Sequence, residues 1–195
     1  MNVIAINGSA RIGGNTETLI NTVFDALKDA DIECELVQLA RADIHGCRAC
    51  WGCDGTRNCI HHDDAFCEVF EKMKAADGIL LASPVYTGNI STALQAVLER
   101  AAVVCDMNRE AALLSRKIGA CLAVARRGGA LNTFDTLANF FLLQDMYVVG
   151  SSYWPIAYGQ MPGDVAHDEE GLTTARKLAE NMQHLLRACD HHMGA

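Results

Sequence analysis

The sequence lacks an excess of basic residues, a long apolar segment and a basic leader. Lys and Arg number 16 against 24 Asp and Glu, which gives a formal net charge of -8. Nucleic acid and anionic membrane surfaces would therefore not be attracted. No segment approaches the roughly 20 apolar residues of a membrane helix, and the start, Met1 to Asn7, has no basic region typical of a signal peptide. We predict a cytoplasmic protein with no nucleic-acid and no membrane partner.

The sequence also lacks an internal repeat, a linker and a low-complexity tract, so we predict one domain over residues 1–195. Five apolar, β-rich segments alternate with five helical patterns. This order predicts an α/β fold, a three-layer sandwich with a five-stranded parallel sheet covered on both faces. The predicted strands are 3–6, 32–39, 78–82, 118–125 and 146–149. The predicted helices are 16–28, 65–75, 91–105, 131–143 and a last one capped by Asp168, with an irregular segment over 151–167.

The loop between the first strand and the first helix, Gly8 to Thr16, is typical of an anion site. A helix N-terminus follows it, and backbone N–H groups at such an end favour a phosphate. It has no Lys of a Walker A loop, and its glycines do not fit the G-x-G-x-x-G spacing of dinucleotide sites. A single phosphomonoester such as that of FMN fits best, and an ordinary glycine-rich turn is the alternative. The candidate phosphate-binding residues are Ser9, Arg11, Gly13, Asn15 and Thr16.

Two more glycine-bearing loops follow the third and fourth predicted strands. In parallel sheets, ligands bind outside the carboxyl ends of the strands, where these loops should meet the first. The loop at 83–89 offers an aromatic face and backbone donors at Gly88 and Asn89, as a flat heteroaromatic ring needs. The loop at 126–129 adds positive charge. The candidate ring-binding residues are Pro84, Val85, Tyr86, Thr87, Gly88, Asn89, Arg127, Gly128 and Gly129.

Four of the nine cysteines crowd into a loop at residues 46–60. Cys47, Cys50, Cys53 and Cys59 have the spacing C-x2-C-x2-C-x5-C, and disulfides are not expected in a reducing cytoplasm. Three closely spaced thiolates with a fourth nearby suit a [4Fe–4S] cluster. Structural zinc usually takes two ligand pairs, which this spacing does not provide. His61 and His62 could supply further ligands, so zinc is the second interpretation. Metal-free thiols are the third interpretation.

These motifs together resemble the NAD(P)H-dependent FMN reductases, and within that group the iron–sulfur flavoproteins. The resemblance rests on Gly8-Ser-Ala-Arg11 with Asn15-Thr16, on 83–88, on 127–129 and on the four cysteines. It implies a flavodoxin-like fold with FMN at the sheet edge, a [4Fe–4S] cluster on those cysteines, and a homodimer or homotetramer. Similar cysteine loops also occur in flavin reductases without a cluster. Relatives often carry Lys where this chain has Gln95, so we expect the phosphate or subunit contact made by that Lys to be absent here.

We therefore expect an FMN-dependent oxidoreductase, with NAD(P)H or reduced ferredoxin as donor and a small molecule or protein as acceptor. Because the flavin carries the chemistry, no catalytic acid or base is assigned. The alternatives are a non-enzymatic, flavodoxin-like electron carrier, a cluster-free NAD(P)H:FMN or quinone reductase, and a zinc-stabilised nucleotide-binding module without redox function.

Overall fold

A parallel β-sheet lies at the centre of the protein. The computed structural model describes residues 1–193, with side chains through residue 189, so the last two residues of the predicted domain lie outside it. The strands are β1 Asn2–Asn7, β2 Glu33–Gln38, β3 Gly78–Pro84, β4 Ile118–Ala125, β5 Tyr147–Val148 and β6 Ile156–Tyr158. They follow the order β2-β1-β3-β4-β5, with β6 also paired to β4, and every pairing is parallel. The α/β fold with a parallel sheet is therefore confirmed.

Five helices cover both faces of the sheet. The helices are α1 Asn15–Lys28, α2 Phe66–Ala75, α3 Thr92–Met107, α4 Ala130–Leu143 and α5 Glu169–Met193. Successive side chains of β1 alternate between two cores, because neighbouring residues of a strand point to opposite faces. Val3 and Ala5 pack with α1 and α5, whereas Ile4 and Ile6 pack with α2, α3 and α4. None of the described helices has the length and apolar character that crossing a membrane requires.

Two short strands, rather than one, occupy the fifth position of the sheet. β5 pairs with Ile118 and Gly119, and β6 pairs with the other end of the same strand, Ala123 to Ala125. The prediction that 151–167 is irregular is therefore wrong at β6, and also at a short 3-10 helix, Asp164–His167. Three residues are too few for a local pattern, and their pairing with β4 is long-range. As a result, the loop after β6 also emerges at the carboxyl edge of the sheet.

The start of α3 packs closely against the end of β1. Ser91 caps this helix by accepting a hydrogen bond from the N–H of Leu94. A Cβ atom on Gly8 would lie 2.7 Å from Ser91 Oγ and 3.0 Å from Leu94 Cβ. Glycine is thus required at this position for the first loop and α3 to approach each other.

Candidate functional site

A cavity of about 160 Å³ opens at the carboxyl ends of β1, β3 and β4. We expected the loops after these three strands to meet here, and the structure brings parts of all three together. The loop after β6 joins them. The lining residues are Ser9, Arg11, Asn15 and Thr16, then Pro84, Val85 and Tyr86, then Val124 and Arg126, and finally Gly159 and Gln160.

The first loop is folded into a compact turn before α1. Ser9 Oγ accepts a hydrogen bond from the N–H of Arg11 at 3.1 Å. The hydroxyl-bearing residues Ser9 and Thr16 are 4 % and 2 % exposed, so both are held in the wall of the cavity. The N–H of Gly13 donates to the Glu17 carboxylate at 2.8 Å. A phosphate bound at Gly13 would therefore have to displace that carboxylate.

Asn15 holds the loop after β6 against the loop after β1. Its Nδ2 donates to the carbonyl of Met161 at 2.8 Å, and its Oδ1 accepts from the N–H groups of Gly163 at 3.0 Å and Val165 at 3.4 Å. Both ends of the amide are therefore engaged with protein. This arrangement makes Asn15 part of the cavity wall, with its side chain directed at residues 161–165.

The loop after β3 ends in a tight two-residue turn. The backbones of Tyr86 and Asn89 bond to each other in both directions, at 2.8 and 3.1 Å. Thr87 and Gly88, between them, have φ values of 52° and 78°, as hairpin turns of the primed type require. The Asn89 N–H, which we expected to be open, is used inside this turn. Tyr86 is 43 % exposed, so its ring is available at the cavity.

Helix α4 fixes the tip of this turn. Asn132 Nδ2 donates to the carbonyl of Gly88 at 2.7 Å, and Thr136 Oγ1 donates to Asn89 Oδ1 at 2.9 Å. The turn is thus tied to the helix that follows the next loop.

The loop after β4 divides its residues between two cavities. Arg126 lines the cavity described above, whereas the predicted residues Arg127, Gly128 and Gly129 line a neighbouring one of about 350 Å³. Aromatic side chains of Tyr153, Trp154 and Tyr158 line this second cavity too. We expected residues 127–129 and the loop after β3 to approach the same ligand. The structure instead places residues 127–129 at the second cavity, whereas the loop after β3 lines the first.

The loops after β3 and β4 touch each other at Gly129. Its φ is +85°, and a Cβ atom there would lie 2.9 Å from both Gly88 Cα and Val85 Cγ1. Only glycine combines that backbone conformation with so close an approach.

The loop after β6 was not predicted as part of the site. Gly159 and Gln160 follow β6, and Arg11 Nη1 donates to the carbonyl of Gln160 at 3.3 Å. Asp164 fixes the loop by accepting from the N–H groups of Gln160 and Met161, and these bonds lower the pKa of its carboxyl. The one signal of this loop in the sequence is the glycine that follows Ile156-Ala157-Tyr158. Those three residues are too few to be interpreted as a strand unless their pairing with β4 is known.

The ionisable side chains that line the cavity are those of Arg11, Tyr86 and Arg126. No Asp, Glu, His or Cys is among the described residues of its lining. The cavity thus offers hydroxyls, positive charge and an aromatic ring, with no acid–base pair of the kind that hydrolytic catalysis needs.

The four predicted cysteine ligands line a different and smaller cavity, which shares no lining residue with the first. Cys50 Sγ lies 3.3 Å from His61 Nε2. Burial raises the pKa of the Cys53 thiol, and the nearby thiols of Cys59, Cys47 and Cys50 raise it further. The four cysteines therefore line one cavity, with Cys53 buried in its wall.

This thiol cavity does not have the form of a finished metal site. In the part of the chain that the structure describes, no group of three or more His, Cys, Asp or Glu side chains is placed to hold a metal ion. The cavity measures about 20 Å³, which is room for about one water molecule. The donors suit a thiolate-bound cluster, but the loop must open to admit one.

Sequence comparison finds relatives over nearly the whole chain. The profile of the family described as NADPH-dependent FMN reductase matches residues 1–160. An iron–sulfur flavoprotein of Methanocaldococcus jannaschii is 36 % identical over 194 residues, covering 96 % of this chain and 98 % of the relative. An iron–sulfur flavoprotein of Methanosarcina thermophila is 32 % identical over 187 residues, with 94 % and 96 % covered.

Solved structures of low sequence identity share the fold. RosB with bound 8-demethyl-8-formylriboflavin-5′-phosphate superposes with a TM-score of 0.77 at 19 % identity, covering 98 % of this chain and 81 % of RosB. The apo form of an NADH:FMN oxidoreductase gives a TM-score of 0.64 at 18 % identity, covering 96 % and 89 %.

Proposed function

Because the chain belongs to the NADPH-dependent FMN reductase family, we propose that it is an FMN-dependent oxidoreductase. It takes electrons from NAD(P)H or reduced ferredoxin and passes them to a small-molecule or protein acceptor. The observation that carries the proposal is the cavity in which the hydroxyl-bearing first loop, Tyr86 and Arg126 meet at the carboxyl edge of the sheet.

The first loop binds the phosphate of FMN. The hydroxyls of Ser9 and Thr16, the positive charge of Arg11 and the N-terminus of α1 all favour a phosphate dianion. Gly13 supplies its N–H once Glu17 moves aside. The amide of Asn15 holds residues 161–165 in place, just beyond the cavity-lining Gly159 and Gln160.

The loops after β3 and β4 bind the ring. Tyr86 offers an aromatic face, and Pro84, Val85, Thr87, Gly88 and Asn89 shape the turn that presents backbone groups to the polar edge. Arg126 and Arg127 add positive charge that would favour a reduced, anionic flavin. Gly129 lets the two loops approach, and Gly128 leaves open space beside them. Bound FMN supplies hydride and one-electron chemistry, and the protein contributes orientation and charge.

We also propose that Cys47, Cys50, Cys53 and Cys59 hold one [4Fe–4S] cluster. Their spacing, their position around one cavity and the iron–sulfur names of the two relatives support this assignment. Ser91, which caps α3, packs against Gly8 at the end of β1, and the thiol cavity lies against Arg100, Val103 and Val104 of the same helix. Nine residues of helix, from Ser91 to Arg100, span about 14 Å, and we propose that the cluster relays electrons to the flavin.

Anaerobic reconstitution tests the cluster. Wild-type protein should take up about four irons, with matching acid-labile sulfide, per chain, and Cys50→Ser should take up less. Cys34→Ser is the matched control, because this cysteine lies in β2, away from the thiol cavity. If wild-type protein takes up no iron, the second candidate, a cluster-free NAD(P)H:FMN or quinone reductase, replaces the first. The small size of the thiol cavity favours that candidate.

Anaerobic reduction kinetics test the enzymatic function. FMN-loaded protein is mixed with NADH, NADPH or reduced ferredoxin, and the rate of flavin bleaching is recorded, followed by reoxidation with free FMN or a quinone. Turnover with a small acceptor supports the enzyme. Reduction and reoxidation only by protein partners would instead identify a flavodoxin-like electron carrier.

We further propose that the protein is a homodimer or homotetramer. The family resemblance is the main support, and Leu142 and Leu143, which are 64 % and 72 % exposed at the end of α4, offer apolar surface for such a contact. Light scattering at micromolar concentration tests this. A mass equal to the 21.1 kDa chain would contradict it.

A further inference from the structure

Helix α3 and its C-cap residue Asn108 contact three of the four clustered cysteines through polar side chains. Glu99 Oε1 accepts a hydrogen bond from the N–H of Cys47 at 2.8 Å. Asn108 Nδ2 donates to the carbonyl of Cys53 at 2.8 Å. Arg100 is the one of the three that reaches a sulfur atom.

The guanidinium of Arg100 donates directly to the sulfur of Cys59, with Nη2 and Sγ 3.1 Å apart. Only 4 % of the Arg100 side chain is exposed. The same Nη2 donates to the carbonyl of His61 at 3.4 Å, and the guanidinium lies 4.1 Å from the centre of the Phe66 ring. The group is thus held in one position, aimed at one cysteine.

Asp64 fixes Arg100 from the other side. Its fully buried carboxylate pairs with Arg100 Nη1, and it accepts hydrogen bonds from the N–H groups of His45 at 2.8 Å and Phe66 at 3.1 Å. These bonds tie together the two ends of the cysteine loop. The Arg100–Asp64 pair therefore closes the base of the loop and leaves Nη2 directed at Cys59.

Burying such a pair needs a reason beyond stability. Removing two charges from water is costly, and apolar replacements for buried ion pairs are often neutral or stabilising. Loop closure alone would not require a donor on the thiol. A guanidinium on a sulfur instead matters most where the charge on that sulfur changes.

We propose that Arg100 is a positioning residue that raises the reduction potential of the cluster through its hydrogen bond to Cys59, an inference that rests on the proposed cluster. When the cluster is reduced, one electron enters and no bond to a thiolate forms or breaks. The centre becomes more negative by one charge, so the N–H···S bond stabilises the reduced form more than the oxidised form. Hydrogen bonds to cluster sulfurs are a recognised means of setting the potential.

The test compares the cluster potentials of wild-type protein, Arg100→Gln and Arg100→Lys, reconstituted with iron and sulfide and loaded with FMN. Each is titrated with dithionite and redox mediators, and the reduced cluster is counted by electron paramagnetic resonance. Arg100→Gln should lower the equilibrium constant for reduction at least tenfold, which corresponds to 59 mV for a one-electron couple. Arg100→Lys keeps the charge but lacks the planar fork, so its potential should fall between the other two.

Arg109→Gln is the matched control, because this arginine lies just beyond α3, is 81 % exposed and pairs with Asp106 rather than a cysteine. Its cluster potential should equal that of the wild type. The flavin potential, read in the same titration, should stay constant in all variants.

The outcomes separate the two claims. Clusters with unchanged potentials in both Arg100 variants would overturn the role of Arg100 and leave the cluster intact. Lower iron content with an unchanged potential would mean that Arg100 only holds the loop, which also overturns the proposal. If wild-type protein binds no iron, the cluster assignment itself fails and this inference falls with it. If Arg100→Gln does not fold, the shift in Arg100→Lys decides.

Discussion

Replacing Thr16 by Val isolates the contribution of one hydroxyl to FMN binding. Thr16 is 2 % exposed and lines the cavity at the first turn of α1. Valine keeps the branched shape and removes only the donor. A hydrogen bond to a charged group contributes about 1.5–3 kcal/mol, and each 1.4 kcal/mol is a factor of ten in affinity. The dissociation constant for FMN should therefore rise about 10- to 150-fold.

In the assay, the apoprotein is titrated with FMN and binding is monitored as quenching of the flavin fluorescence. Riboflavin is titrated in parallel. Riboflavin lacks the phosphate, so its affinity should be the same for the variant and the wild type. Thr22→Val is the matched control, because that hydroxyl donates to the carbonyl of Thr18 at 3.0 Å and lies outside the cavity. If Thr16→Val binds FMN as tightly as the wild type, or loses riboflavin affinity equally, the phosphate assignment is wrong.

Three further perturbations test contacts that hold the loops in place. Gly129→Ala puts a Cβ atom 2.9 Å from Gly88 at a φ of +85°, so it should destabilise the fold by about 1–2 kcal/mol or more. Gly128→Ala is the control and should leave stability unchanged, because the space around Gly128 is open. Urea unfolding measures both variants. Asn15→Ala removes three hydrogen bonds and should cost about 1–3 kcal/mol in the same assay; an unchanged midpoint would refute its structural role. Burial alone would raise the pKa of Asp64, but hydrogen bonds from His45, Phe66 and Arg100 lower it overall. Its stabilisation is therefore complete above the unfolded value of about 3.9 and is lost as the pH falls through the folded pKa, so Asp64→Asn should show a shallower acid limb in a plot of stability against pH.

The architecture could be predicted because its main signals are local. β4 is buried at all eight positions, and its apolar run, Ile118–Ala125, has the predicted bounds. The helices differ from their predicted bounds by at most two residues where both bounds were predicted. The cap of α5 is also as expected, since Asp168 Oδ1 accepts from the N–H of Gly171 at 3.0 Å.

The features that could not be predicted depend on residues far apart in the chain. β6 is recognised only by its pairing with β4, and that pairing brings Gln160 to the cavity. The partners of the Asn15 amide lie 146 to 150 residues away. The contact of Arg100 with Cys59 spans 41 residues and has no local signature. Sequence motifs thus identify the loops, whereas the direction of each side chain depends on the tertiary fold.

The identity of the flavin in protein purified and kept under anaerobic conditions tests the central claim most directly. The protein is denatured, and the released flavin is identified by mass and quantified against the chain. We expect FMN, equimolar with the chain after incubation with excess FMN, and little binding of FAD. A protein that carries no flavin and binds no added FMN would contradict it.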